Sequence, residues 1–325
     1  MDKIFRSILL TLLVAALATP AFAESAGRAG AYLKMGVGAR ALGMGSAFTA
    51  VADDSTAAFW NPAGLALLAR PEASFMHANL SLDRKYNFFN YVHPLKNDKK
   101  NSGVVALSHI RFGVDGIPET RLANGRTDGL PLAGDEPATD PAGTFTPGRN
   151  VYIFSYFDDT ETATFGTYAR KLADKWFGGV NLKALRQSLF TNSADSWGLD
   201  LGFLYTPTKK SAVGLSIRDI AEQLKWDTAS GHSDTVPVTT TVGFSYKTRP
   251  NMIVALDLSK TEDLDAKFRV GTEYWFKDVA ALRLGSQAGD LTLGASFKLQ
   301  DWRFDYAYAD ETLGEAHRIS ASKQF

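Results

Sequence analysis

From about residue 71 to the C-terminus, apolar residues alternate with small or polar ones at a period of two, the spacing that puts successive side chains on opposite faces of a β-strand. Trp197, Leu199, Leu201, Phe203 and Tyr205 share one face, and Asp200 and Gly202 take the other. Val213, Leu215 and Ile217 oppose Gly214, Ser216 and Arg218; Phe268, Val270 and Tyr274 oppose Lys267, Arg269 and Glu273; Trp302, Phe304, Tyr306 and Tyr308 oppose Arg303 and Asp305. The pattern predicts strands at 71–82, 86–95, 102–113, 161–172, 175–189, 193–206, 211–220, 236–248, 251–260, 266–276, 279–286, 290–299, 302–310 and 315–325, about fourteen in all. An even count keeps both chain ends on one side of a closed bacterial barrel. The strand-like run 151–157 would make the count odd. It is therefore assigned to an extracellular excursion, together with the Gly-, Pro-, Asp- and Thr-rich stretch 114–148, and the long connections 113–160 and 221–235 then fall on one side.

Alternation alone is compatible with a soluble barrel, and energy separates the two cases. A Lys or Arg on the lipid face costs about 2–4 kcal/mol at mid-bilayer. The apolar faces are almost free of charge and end in Trp, Tyr and Phe, so they suit lipid. The reading is all-β, a transmembrane antiparallel β-barrel of about fourteen strands. Its lumen would carry Lys183, Asp200, Arg218, Asp257, Lys267, Arg269, Glu273, Arg283, Lys298, Arg303 and Asp305, of mixed sign.

The N-terminus supplies an export signal. Lys3 and Arg6 precede an apolar run from Ile8 to Leu17, and Ala21, Phe22 and Ala23 form a small-x-small cleavage pattern. Residues 1–23 read as a cleaved signal peptide, the apolar run being shorter than a spanning helix needs. The 325 residues include no cysteine, so neither a disulfide nor a lipid-anchored start is expected. Equal numbers of basic and acidic residues, 35 each, argue against a nucleic-acid partner. Twenty-one Phe, 11 Tyr and 6 Trp beside 28 Gly suit aromatic girdles and tight turns. These features place the protein in the bacterial outer membrane, in contact with its lipid.

The exception to the strand pattern is 36–68, GVGARALGMGSAFTAVADDSTAAFWNPAGLALL, which is rich in glycine and small residues. Such a segment packs tightly only where something surrounds it. Residues 24–69 are expected to plug the lumen of a barrel formed by 70–325. Gly43, Gly45 and Gly64 allow close backbone approach. Asp53 and Asp54, with Ser55 and Thr56, are suited to cap a helix beginning at Ala57. Pro62 interrupts that helix, Asn61 can satisfy the backbone of the broken turn, and Arg40 can pair with Asp53 or Asp54. These residues either fix the plug or make it displaceable.

Enzymatic chemistry finds no support. Histidines 77, 93, 109, 232 and 317 lack metal-ligand spacing, and neither a Gly-x-Ser-x-Gly elbow nor a P-loop is present. Asp158, Asp159 and Glu161, and Glu262, Asp263 and Asp265, lack an EF-hand pattern and read as solvated turns. No cofactor and no metal is expected.

The plug sequence resembles the N-terminal region of the PorV/PorQ family, a branch of the FadL-like outer-membrane barrels. So do Gly178 to Lys183 and the stretch from Gly198 to Tyr205 leading to Gly214 to Asp219. Asn61, Pro62 and Ala63 are shared with FadL transporters generally, whereas GARALGMGSAF points to the PorV/PorQ branch. The resemblance implies a fourteen-stranded barrel with an N-terminal plug, and a type IX secretion-like role of holding an exported protein or surface-complex subunit at the extracellular loops. A FadL-like passive transporter with a hydrophobic ligand, or a structural barrel subunit of a surface assembly, are the alternatives.

Overall fold

The computed structural model describes residues 28–81, 83–95, 103–122, 151–228, 231–311 and 314–325. The expected signal peptide and residues 123–150 of the expected long loop lie outside them. The strands are β1 (Glu72–Leu80), β2 (Arg84–Pro94), β3 (Val104–Leu122), β4 (Val151–Ala173), β5 (Trp176–Leu189), β6 (Asn192–Tyr205), β7 (Ser211–Ile220), β8 (Gln223–Trp226), β9 (Ser233–Thr235), β10 (Thr239–Arg249), β11 (Met252–Thr261), β12 (Lys267–Phe276), β13 (Ala280–Gln287), β14 (Asp290–Leu299), β15 (Trp302–Glu311) and β16 (Gly314–Gln324). All pair antiparallel, and β1 pairs with β16 to close the sheet. β7 pairs directly with β10, while β8 pairs with β6 and β9 with β8. Removing that two-stranded flap from the 16-stranded sheet leaves the fourteen staves of a closed barrel.

Two expectations about the connections need correction. The strands expected to end at 113 and begin at 161 run on, so β3 and β4 stay paired out to Leu122 and Val151. Run 151–157 is therefore the continuation of β4. Register shifts at Val114/Ile117 and Glu119/Thr120 absorb extra residues, including Gly116 at φ 68°, and that irregularity hid the strand period. Likewise, 221–235 is not a plain loop but carries β8 and β9. The connections that precede β5, β7, β11, β13 and β15 lie at one rim with both ends of the barrel, called here the short-turn rim. The long connections lie at the opposite, long-loop rim.

Side-chain exposure follows the pleat. Leu107, Leu182, Trp197, Leu258, Leu282 and Ile319 point outward and are exposed, forming the apolar belt a bilayer requires. The lumen has two characters. From β5 to β15 it carries the expected charges: Lys183, Asp200, Arg218, Asp257, Arg269, Glu273, Arg283 and Asp305 are all buried. Along β1 to β4 it is instead mainly apolar, with Met76, Phe88, Ile110, Phe112 and Phe165 buried, so the lumen is not charged all round. On β1 to β4 apolar residues occupy both faces, which weakens the period-two signal there. Lys267 sits half-buried at the long-loop rim end of β12.

Inside lies the segment ahead of β1. It comprises a 3₁₀ turn at Ala31–Lys34, helix α1 at Ala39–Gly43, helix α2 at Ala57–Trp60 and a second 3₁₀ turn at Pro62–Leu67. Its backbone rests on a row of inward-facing glycines. A Cβ at Gly179 would collide with Pro62, at Gly202 with Asn61, at Gly214 with Thr49, at Gly271 with Met44 and at Gly285 with Gly45. At Gly294 a Cβ would press on the Cα of Gly43 at 3.1 Å. Between these staves, on β11, Asp257 Oδ2 accepts the Phe48 and Thr49 N–H groups at 3.1 and 3.0 Å. The plug is seated backbone against backbone, closer than any side chain would allow.

A valine at Gly271 or Gly285 should unseat the plug and raise ion conductance in planar lipid bilayers. Gly166→Val, where an added Cβ meets nothing within 4 Å, should leave conductance unchanged. Equal conductance in all three variants would show that the glycine row does not hold the plug.

Candidate functional site

Arg40, on the five-residue helix α1, is the hub of a buried network toward the short-turn rim. Its Nε and Nη2 donate to the two carboxylate oxygens of Glu273 at 2.8 Å each. Its Nη1 donates to Asp53 at 2.6 Å and Asp54 at 3.0 Å, so Arg40 pairs with both acids. Arg303 joins Asp54 and Asp305 at 2.9 Å each, and Arg283 Nε donates to Glu273 at 2.7 Å. One guanidinium thus ties the plug to β12, and a second ties it to β15. Burial raises the Asp54 carboxyl, but the guanidiniums of Arg303 and Arg40 outweigh it and hold the group at about 2. Below this network, a cavity of about 360 Å³ opens at the rim between Asp53, Trp275, Lys298 and Arg303.

Neighbouring plug residues behave differently from one another. The expected helix cap at 53–56 does not form: Thr56 makes no side-chain cap, and its N–H donates to Asp54 Oδ1 at 3.0 Å instead. The other Asp54 oxygen, Oδ2, accepts from Arg40 and Arg303, so the one carboxylate serves both the turn and the ion network. Asn61 Nδ2 donates to the carbonyls of Thr49 at 2.8 Å and Phe203 on β6 at 3.0 Å, and Oδ1 accepts the Ala63 N–H at 3.2 Å. Helix α2 ends ahead of Pro62, which opens the second 3₁₀ turn. Gly45 N–H donates to Thr292 Oγ1 at 2.9 Å, and Gly64 lies against the Ala52 carbonyl.

A second network lies toward the long-loop rim. Lys183 Nζ sits 2.9 Å from Asp200, 2.5 Å from Asp219 and 2.6 Å from Glu222. Lys34 of the plug donates to Asp219 at 3.1 Å, Thr239 Oγ1 at 2.6 Å and the Pro237 carbonyl at 3.1 Å. A register shift between β6 and β7 brings these acids together, with Asp219 at φ 66° and its N–H donating to Asp200 at 2.9 Å. The three carboxylates are spaced as metal ligands would be. The Lys183 ammonium contacts all three and supplies the cation that such a cluster requires, so the set does not call for a metal. Lys34 and Glu222 were not singled out in the sequence; each stands next to a strand or plug boundary, and only the fold brings them to Lys183.

Opposite the charged staves, the 3₁₀ turn Ala31–Lys34 meets the apolar arc through Tyr32. Tyr32 stacks on Phe112 at 6.4 Å between ring centroids, and its hydroxyl donates to the Thr162 carbonyl at 2.9 Å. Tyr86 packs on the same Phe112 at 6.3 Å. One short turn therefore bridges an aromatic wall and a charge cluster.

Removing one partner of a buried, hydrogen-bonded charge pair costs about 3–5 kcal/mol. Arg40→Met should therefore lower the thermal unfolding midpoint strongly, whereas Asp53→Asn, at a side chain 38% exposed, should cost about 1 kcal/mol or less. Because Asp54 is depressed below its unfolded value of about 3.9, its contribution is full above about pH 4 and lost as pH falls toward 2. Unfolding midpoints recorded from pH 8 to pH 2 should show that loss only at the acid end.

No known family's sequence model matches the chain, and no curated protein matches it. Solved structures do. The CymD monoaromatic hydrocarbon channel aligns at 14% identity over 90% of this chain and 98% of that one, with a TM-score of 0.59. The Pseudomonas putida toluene transporter TodX aligns at 13% identity over 89% and 98%, TM-score 0.56. A Pseudomonas aeruginosa FadL homologue aligns at 13% over 84% and 94%, TM-score 0.53. These neighbours are channels and transporters rather than enzymes, and at such identity the likeness is one of fold. None of them carries the narrower PorV/PorQ assignment. The chain has the fold of the FadL/TodX-type barrels.

Proposed function

We propose that the protein is an outer-membrane barrel that passively carries a hydrophobic small molecule. The observation that carries this reading is the apolar arc of the lumen: Met76, Phe88, Ile110, Phe112 and Phe165 face inward on successive staves, and Tyr32 of the plug stacks on Phe112. The structural neighbours, a monoaromatic hydrocarbon channel and a toluene transporter among them, support the same class of ligand. Passage would require the turn Ala31–Lys34 to leave its seat, since Tyr32 fills the space against Phe112.

The exported-protein role implied by the sequence resemblance draws no support from these neighbours and becomes the second reading. It is favoured by the β3–β4 hairpin, which runs beyond Asp159, where β5 begins to pair, and exposes Tyr156. Deleting 114–148 tests it: co-purification of a surface partner should be lost, and retention of every partner removes the role.

The transport reading predicts that cells lacking the protein take up toluene more slowly, and that the wild-type gene restores the rate. A gene carrying Ile110→Asn and Phe165→Gln should not restore it, although the barrel should still show heat-modifiable migration as a folded protein. Uptake equal in the null and complemented strains would remove the reading.

A further inference from the structure

The cavity of about 360 Å³ at the short-turn rim takes no part in the aromatic arc, and its charges are unevenly matched. Four cations line it, Arg40, Lys247, Lys298 and Arg303, against three acids, Asp53, Glu273 and Asp278. Two of those acids are committed to the plug network. Glu273 accepts from Arg40 through both carboxylate oxygens and from Arg283 as well, and Asp53 accepts from Arg40 at 2.6 Å. Asp278 stands in the exposed turn between β12 and β13.

Lys298, partly buried near the end of β14, has no carboxylate within salt-bridge distance among the described residues. Its ammonium lies over the Trp275 ring instead, 4.1 Å from the centroid, and close enough to Arg303 and Arg40 for like charges to repel it. A ring face is a weaker partner for a desolvated ammonium than a contacting carboxylate. Arg303 is only partly engaged: Nε and Nη2 serve Asp305 and Asp54 at 2.9 Å each, and Nη1 is in neither bond. Lys247, exposed on the same lining, makes no ion pair among the described residues. Three cationic side chains thus line one cavity whose buried acceptors are engaged elsewhere.

We propose that this cavity binds a phosphate group, held between Lys298 and Arg303 with Lys247 as the outer contact. Separate donors around a cavity suit a tetrahedral dianion, to which lysine offers a point charge and arginine a planar fork. Most of the lining residues are polar or charged, so the cavity has little to offer a hydrocarbon tail. The site stands at the opposite end of the lumen from the contact of Tyr32 with Phe112 and does not depend on the transport reading. Phosphate reaches such a rim from two sources, soluble monoesters and the headgroups of adjoining lipid, and the experiment separates them.

Purified full-length barrel in detergent would be titrated calorimetrically with glycerol 3-phosphate, with dioctanoyl phosphatidic acid and with acetate. Glycerol 3-phosphate should bind, and Lys298→Gln should weaken it about tenfold or more, as expected for a lost bond to a charged group. Lys247→Gln should weaken it less, and added salt should weaken it further. Lys175→Gln, on the β4–β5 turn at the same rim, should leave binding unchanged, which separates a site from general surface charge. Binding of phosphatidic acid alone, lost in Lys298→Gln, supports the phosphate site and assigns it to lipid. Should Lys298→Gln fail to fold, the wild-type unfolding midpoint decides: it should rise with one of the two phosphate probes and not with acetate. Binding of neither phosphate probe, undiminished binding by Lys298→Gln, or acetate bound as tightly as the phosphates overturns the site.

Discussion

Direct contact between the plug backbone and the barrel backbone is the constraint on which the rest depends. Fourteen staves enclose a lumen wider than their own side chains fill, and the chain fills it with a segment of mostly small residues. That segment can follow the wall closely because the wall lacks Cβ atoms at Gly179, Gly202, Gly214, Gly271, Gly285 and Gly294. Close packing of this kind is intolerant of added volume. It fixes the height at which Arg40, Asn61 and Phe59 stand, and every site in the lumen is measured from that height.

Charge then secures what shape has positioned. Arg40 engages three carboxylates, one of them on β12, and Arg303 draws Asp54 toward β15. Lys34 does the same at the other end through Asp219. Such buried pairs contribute little net stability over apolar packing, but losing one partner is costly, so they specify a single seat for the plug. Arg218 lies over the Phe59 ring of the plug instead, and Arg269 stands cross-strand to Asp257.

The two halves of the lumen give the protein its functional asymmetry. An aromatic and aliphatic arc on β1 to β4 faces a polar and charged arc on the remaining staves, and the turn Ala31–Lys34 touches both through Tyr32 and Lys34.

The amino-acid sequence by itself determined the barrel. Alternation is a local property, so the staves, their approximate bounds, their even number and the lipid-facing side could be read from Trp197 to Tyr205 and its repeats without knowing any partner. The plug was legible for the same reason, as a small-residue stretch with no strand period, and the pairing of Arg40 with Asp53 and Asp54 lay within reach of a short loop. Tertiary structure alone decided the rest. The apolar arc was hidden because β1 to β4 carry apolar residues on both faces, and the β3–β4 extension because register shifts break its period. The gathering of Lys34, Lys183, Asp219 and Glu222 joins residues up to 188 positions apart. Distances across a closed lumen are set by strand register and plug height, and neither is written in any one segment of the chain.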